Sequence, residues 1–219
     1  MTVQRHVFAL LVSLLIALLL SVYTGQARAA LGASPSIFGS SETERTDLRL
    51  FPQWLGTLSR YEQQITAPRN CGGGNFAGCN LEEWRSFLTG IQHDGVIAQL
   101  QAVNSEMNRR RYIVDPRNWG VPDYWATPFQ FFAKNGDCED YAIAKFISLR
   151  TLGFSNEDMR IVVLRDTNLN ILHAVLVVYV GGQPYVLDNQ IRSVVRAQSI
   201  RHYRPIYSVN ETTWWRHSN

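Results

Sequence analysis

Between Arg160 and Leu187 the chain passes through three stretches rich in Val, Ile, Leu and Tyr: Arg160 to Arg165, Leu172 to Val180 and Pro184 to Leu187. Gly181-Gly182 separates the last two, a spacing that closes a tight hairpin and makes the strands antiparallel. A sheet built from such strands must be covered, and the first half of the chain reads as the cover. Leu48 to Ile65 and Leu81 to Asn108 place apolar residues three and four apart, as at Leu81, Trp84, Leu88 and Ile91. A third helix is expected from about Cys138 to Leu152, with Gly153 where helices commonly stop. Leu31 to Thr46 reads as a polar lead-in, Pro116 to Pro128 as an aromatic, proline-rich loop, and Tyr203 to Val209 as a last strand. Helices first and antiparallel strands second make an α+β fold. We expect a helical lobe over about 42–155, a sheet lobe over about 156–210, and the active site in the cleft between them.

With 219 residues, of which 46% are hydrophobic, the chain can bury one sizeable core, which excludes disorder and fibrous repeats. The first 29 residues read as an export signal. Arg5 and His6 precede an apolar run from Val7 to Val22, and Ala27-Arg28-Ala29 offers a cleavage site after Ala29. The alternative is an uncleaved anchor, although the run is short for a spanning helix. The mature domain then covers 30–219 and works in the periplasm or outside the cell. Two of the 21 bases and none of the 18 acids lie in that leader, so the remainder is close to neutral and offers no field for nucleic acid. Arg109-Arg110-Arg111 reads as a solvated helix end.

An exported chain with three cysteines has one left over. Cys71 and Cys79 can close the loop across Gly72 to Gly78, leaving Cys138 unpaired. If Asp137 caps the third helix, Cys138 falls in its first turn, where free N–H groups favour a thiolate and the oxyanion of an acyl intermediate. The alternative is a buried, inert cysteine under a helix cap. His173 and Asp188 bear on that choice. A two- or four-residue hairpin loop puts both on one face of the sheet, opposite each other or one diagonal apart. Cys138 then serves as nucleophile, His173 as the base that later protonates the leaving amine, and Asp188 as the group orienting the imidazole. Asp137, Glu139 and Asp140 crowd the thiol with negative charge, which raises its pKa. A calcium ion among these acids resolves the conflict, since clustered carboxylates suit a hard cation. The alternative is a set of solvated helix-start acids.

Asp137-Cys138-Glu139-Asp140-Tyr141-Ala142, the strand His173-Ala174-Val175-Leu176 and Leu187-Asp188-Asn189 together resemble the LapG-type bacterial transglutaminase-like cysteine proteinases, over about Trp119 to Asp188. The resemblance implies a papain-like, transglutaminase-type fold and a calcium-dependent periplasmic endopeptidase. Such enzymes cut a large surface adhesin near a di-alanine site in its N-terminal region and so disperse a biofilm. It also implies control by an inner-membrane receptor of the LapD type that senses cyclic di-GMP. By position it puts the nucleophile on Cys138, the base on His173, the orienting acid on Asp188 and the calcium acids on Asp137, Glu139 and Asp140. The Cys71 and Cys79 pair has no place in the family pattern. Trp119 to Trp125 either lines the substrate cleft or packs. Acyl transfer to an amine, a cell-wall amidase and a non-catalytic calcium-stabilised binding module are the competing readings.

Overall fold

The computed structural model describes residues 36–66 and 77–218, with the backbone alone for 77–80. The leader and the Cys71 to Cys79 loop therefore lie outside the described residues. The elements in chain order are β1 (Ser41–Arg45), α1 (Pro52–Thr66), α2 (Ala77–Ile91), α3 (Val96–Met107), α4 (Asp115–Asn118), α5 (Pro128–Lys134) and α6 (Cys138–Thr151). Then come β2 (Met159–Asp166), β3 (Ile171–Val180), β4 (Gln183–Leu187), β5 (Val195–Arg196), β6 (Tyr203–Val209) and β7 (Trp214–Ser218).

The seven strands of the described residues form one antiparallel sheet in the order β1-β7-β6-β2-β3-β4-β5. The expected α+β architecture is what the chain adopts. The hairpin register pairs Val180 with Gln183 across Gly181 and Gly182, both at positive φ, as a two-residue turn requires. The sheet exceeds expectation at its far edge. Ser41–Arg45, read as polar lead-in, pairs with β7, and Arg160 fixes it there through its guanidinium on Glu42 and over the Trp215 ring.

Helix α6 is buried on every side, from Asp140 to Leu149. It joins α1, α2, α3 and α5 to the sheet face carrying Ile161, Leu176 and Val178. Each large apolar side chain sequestered this way contributes about 1.5–3 kcal/mol. Trp54 packs edge-on against Phe146, and Trp84 donates to the Ser148 hydroxyl at 2.8 Å. The other sheet face carries Val162, Leu164, Val175, Val177 and Tyr203 under Ile37, Ala197 and Ile200. With both faces covered, β3 is a continuous apolar run rather than an alternating one.

Two helical expectations need correction. The run from Leu81 to Asn108 is two helices, broken where Gly95 leaves the helical conformation to begin α3. The aromatic loop holds two short helices, α4 and α5, each opened by a proline in its first turn. Trp125 in that loop is core, against Trp54, and its carbonyl accepts from Thr57 and Arg60. Among the described residues no helix is long and apolar enough to cross a membrane.

Candidate active site

The site is assembled around the start of α6. Asn135 closes α5 in the left-handed region, at φ 64°, and turns the chain towards Gly136. Asp137 follows as the N-cap in extended conformation, and Cys138 is the first helical residue. The strand-like segment 111–113 straps this turn down. Tyr112 bridges Gly136, Ile113 N–H donates to the Gly136 carbonyl at 2.8 Å, and Arg111 N–H donates to the Asn135 side chain at 3.1 Å. The arginine triplet is the solvated end of α3, as expected, with Arg109 on Glu106 and Arg110 over the Phe132 ring.

Gly136 stands where nothing larger fits. A Cβ there would lie 2.1 Å from Asp140 Oδ2 and 2.6 Å from Asp140 Cβ. Asp140 cannot withdraw, because its carboxylate accepts from Ala126 N–H at 2.6 Å and from Asp137 N–H at 3.3 Å. Gly136→Ala is therefore expected to cost about 1–3 kcal/mol. That corresponds to a fall of about 3–10 °C in the thermal midpoint for a domain of this size. An unchanged midpoint in a thermal melt would show that the turn relaxes freely.

His173 and Asp188 meet as the hairpin register demands, one diagonal apart on a shared face. His173 Nε2 and Asp188 Oδ1 are 2.9 Å apart, with both side chains essentially inaccessible. Tyr203 donates its hydroxyl to Asp188 Oδ2 at 2.6 Å, and Gln190 N–H donates to Oδ1 at 2.8 Å. Burial opposes ionisation of Asp188, but the bonds from His173, Tyr203 and Gln190 outweigh it and hold the carboxyl below its ordinary range. With Nε2–H given to the carboxylate, Nδ1 is the nitrogen of the neutral ring left to accept a proton.

Cys138 reaches the same strand end. Pairing of β3 with β4 stops at Leu176, and beyond it the Ala174 N–H, next to His173, acts to lower the thiol pKa. The sulfur itself donates to Glu139 Oε2 at 3.1 Å rather than to the imidazole. Burial first, then the charges of Glu139 and Asp137, push the thiol pKa far up, against the pull of the Ala174 N–H. This is the conflict expected from the sequence, with burial as its larger cause.

The three acids expected around the thiol are joined by two that sequence reasoning missed. Asp115, Asp123 and Glu139 bring carboxylate oxygens within 4.8 Å of one another, and so do Asp115, Asp137 and Asp140. Asp115 is common to both groups. Its backbone N–H donates to Asp137 Oδ2 at 3.3 Å, and its own Oδ2 accepts from Tyr124 N–H. Asp115 Oδ1 and Asp137 Oδ1 are buried without a hydrogen-bond partner among the described residues. Hard oxygen donors left unpaired in a buried acidic cluster fit a divalent cation such as calcium. The only sequence signal for Asp115 was its position before Pro116, at a helix start. Asp123 gave none.

Desolvation, then the charge of Asp137, raises Glu139 to about 8. Burial also raises Asp115 to about 6, with Asp137 and Asp123 adding to it. Both pKa values are higher in the folded chain than in the unfolded one, so the fold binds these protons more tightly. The associated stability is present near pH 4 and is lost as pH rises through 6 to 8. In cation-free buffer the thermal midpoint is expected to fall on the order of 5–10 °C between pH 5 and pH 8. A flat profile would mean that the acids are solvated and independent.

A family model, described as bacterial transglutaminase-like cysteine proteinase BTLCP, matches residues 74–217. The chain belongs to this family. Its fold is similar to that of Legionella pneumophila LapG in the calcium-bound form, at 26% identity and a TM-score of 0.60, covering 73% of this chain and 87% of that one. The EGTA-treated form of the same LapG matches with a TM-score of 0.60 and 26% identity, over 74% and 87% of the two chains. No curated protein sequence matches the chain. Membership makes this chain a cysteine proteinase of transglutaminase-like fold. Within the matched span the sequence has two cysteines, Cys79 and Cys138. The second is the first residue of α6, and α6 packs on β3, the strand that carries His173.

Proposed function

We propose that this chain is an exported, calcium-dependent cysteine endopeptidase that cuts a large surface adhesin near a di-alanine site and so promotes biofilm dispersal. The observation that carries the reading is the buried His173–Asp188 hydrogen bond, on a strand whose Ala174 N–H acts to lower the Cys138 thiol pKa. In the reaction, Cys138 turns from Glu139 and gives its proton to His173 Nδ1. The thiolate then attacks the scissile carbonyl carbon, forming the C–S bond as the carbonyl π electrons move onto oxygen. The Cys138 N–H, unpaired in the first turn of α6, faces that developing charge. His173 returns the proton to the leaving amine as the C–N bond breaks. It then deprotonates the water that attacks the thioester and releases Cys138 with a new carboxylate. Asp188, itself held by Tyr203, keeps the ring in one tautomer throughout.

Calcium held among Asp115, Asp123, Asp137, Glu139 and Asp140 would neutralise the acids that otherwise keep the sulfur protonated. The calcium-bound form of Legionella LapG supports this. Export by cleavage after Ala29, a mature domain of 30–219 with a helical and a sheet lobe, the adhesin, and a cyclic di-GMP receptor of the LapD type rest on the sequence pattern and the family. The test is mass spectrometry of an adhesin N-terminal fragment containing an Ala-Ala pair, incubated with the calcium-loaded protein. Two hydrolysed products meeting at that pair are expected. An intact fragment, or a labelled amine joined to it in place of water, would overturn the proteolytic reading.

A further inference from the structure

The mechanism above uses one oxyanion donor, the Cys138 N–H, and the site offers a second. We propose that the Tyr112 hydroxyl is the side-chain donor of the oxyanion pocket, an inference that rests on the proteolytic reading. The backbone fixes where Tyr112 starts. Its bridge to Gly136 and the Ile113 N–H bond to the Gly136 carbonyl hold its Cα beside the turn two residues before the nucleophile. The ring fixes where it ends. It stacks on Tyr141, one turn into α6, with centroids 6.4 Å apart and planes 18° apart. Tyr141 is itself pinned by its hydroxyl on the Arg110 carbonyl. The phenol of Tyr112 thus lies along the mouth of the helix, 51% exposed and close enough to Cys138, Asp137 and Glu139 to feel their charges.

The chemistry of the surroundings leaves this group one role. Asp137 and Glu139, the carboxylates flanking the sulfur, accept hydrogen bonds when ionised and cannot stabilise an oxyanion. A phenol ordinarily titrates at about pH 10, so Tyr112 stays protonated in neutral solution and acts as a donor and not as a base. Exposure places it where a substrate carbonyl arrives, which the buried Tyr203 hydroxyl, committed to Asp188, cannot match. No proton leaves Tyr112. Its hydrogen bond shortens as the carbonyl oxygen becomes anionic and relaxes when the C–N bond breaks.

The test compares wild type, Tyr112→Phe and Cys138→Ala, all saturated with calcium. Tyr112→Phe keeps the ring and its stacking and removes only the hydroxyl. We expect kcat for adhesin-fragment cleavage to fall 10- to 100-fold with KM within about twofold, the usual size for one such donor or somewhat below it. Affinity for the reversible aldehyde N-acetyl-alanyl-alaninal, whose adduct carries the same oxyanion, should fall by a similar factor. Alkylation of Cys138 by iodoacetamide, which forms no oxyanion, should change less than about threefold. Unchanged kcat and aldehyde affinity would overturn the proposal. So would a loss confined to KM, or alkylation slowed in step with kcat. Retained cleavage by Cys138→Ala would instead remove the proteolytic reading itself.

Discussion

Replacing Cys138 by alanine is expected to reduce peptide-bond cleavage by about 10⁴-fold or more, and His173→Ala by a similar factor. The two losses should not add, because sulfur and imidazole act as one unit and removing either leaves the other without a task. Asp188→Asn should also cost several orders of magnitude, for a different reason. The amide cannot accept and orient His173 Nε2–H as the carboxylate does, so the ring is free to take the wrong tautomer. The thermal midpoint separates these cases from unfolding. Cys138 is half-buried and its sulfur makes one side-chain hydrogen bond, to Glu139, so Cys138→Ala should melt close to wild type. Asp188 is buried and serves His173, Tyr203 and Gln190 at once, so its replacement should also lower stability. Mass spectrometry of the cleavage products reads all three variants. Residual activity above about 1% in Cys138→Ala would exclude it as the nucleophile.

Removing calcium is expected to lower activity at least about 100-fold, with full recovery on adding it back. The cause is electrostatic. Five carboxylates form two groups that share Asp115. Two of the five, Glu139 and Asp137, act directly on the Cys138 thiol, and two buried oxygens of the cluster have no partner among the described residues. Ionised and uncompensated, these acids oppose a thiolate. Asp115→Asn should reproduce the chelated state, because Asp115 alone belongs to both carboxylate groups. Asp123→Asn should weaken calcium binding less, since Asp123 is exposed at the rim and shares its charge with Gln53. Isothermal titration should show calcium affinity falling as pH drops below about 8, where Glu139 takes up a proton that the cation must displace. Undiminished cleavage in chelator would remove the metal from the account and leave the nucleophile standing.

Much of this was legible in the sequence because it depended on local rules. The two-residue gap at Gly181-Gly182 fixed the parity of the hairpin, and parity alone brings His173 and Asp188 to one face. Gly136-Asp137-Cys138 signalled a helix start through chemistry acting within four residues. What escaped depended on distant segments. Asp115 and Asp123 enter the acid cluster only because the loop between α4 and α5 folds back, with Tyr124 N–H on Asp115 and Ala126 N–H on Asp140. Ser41–Arg45 is too polar to read as a strand. It becomes one because β7 offers it an edge and Arg160 offers Glu42 a charge. Tyr203 fell within an expected strand, but its bond to Asp188 spans the sheet from β6 to the end of β4 and has no trace in spacing. The break at Gly95 was visible as a glycine, yet the apolar periodicity ran through it.

The account depends on a cation-loaded acid cluster releasing the Cys138 sulfur to His173. The most direct measurement is the pH dependence of iodoacetamide alkylation of Cys138, followed by mass spectrometry of the modified peptide, in calcium and in chelator. With calcium, reactivity should rise through an apparent pKa below neutrality, as in thiolate–imidazolium pairs. In chelator, or in His173→Ala, the thiol should remain unreactive until well above pH 9. Reactivity that titrates at the same alkaline pH with and without calcium would contradict the account.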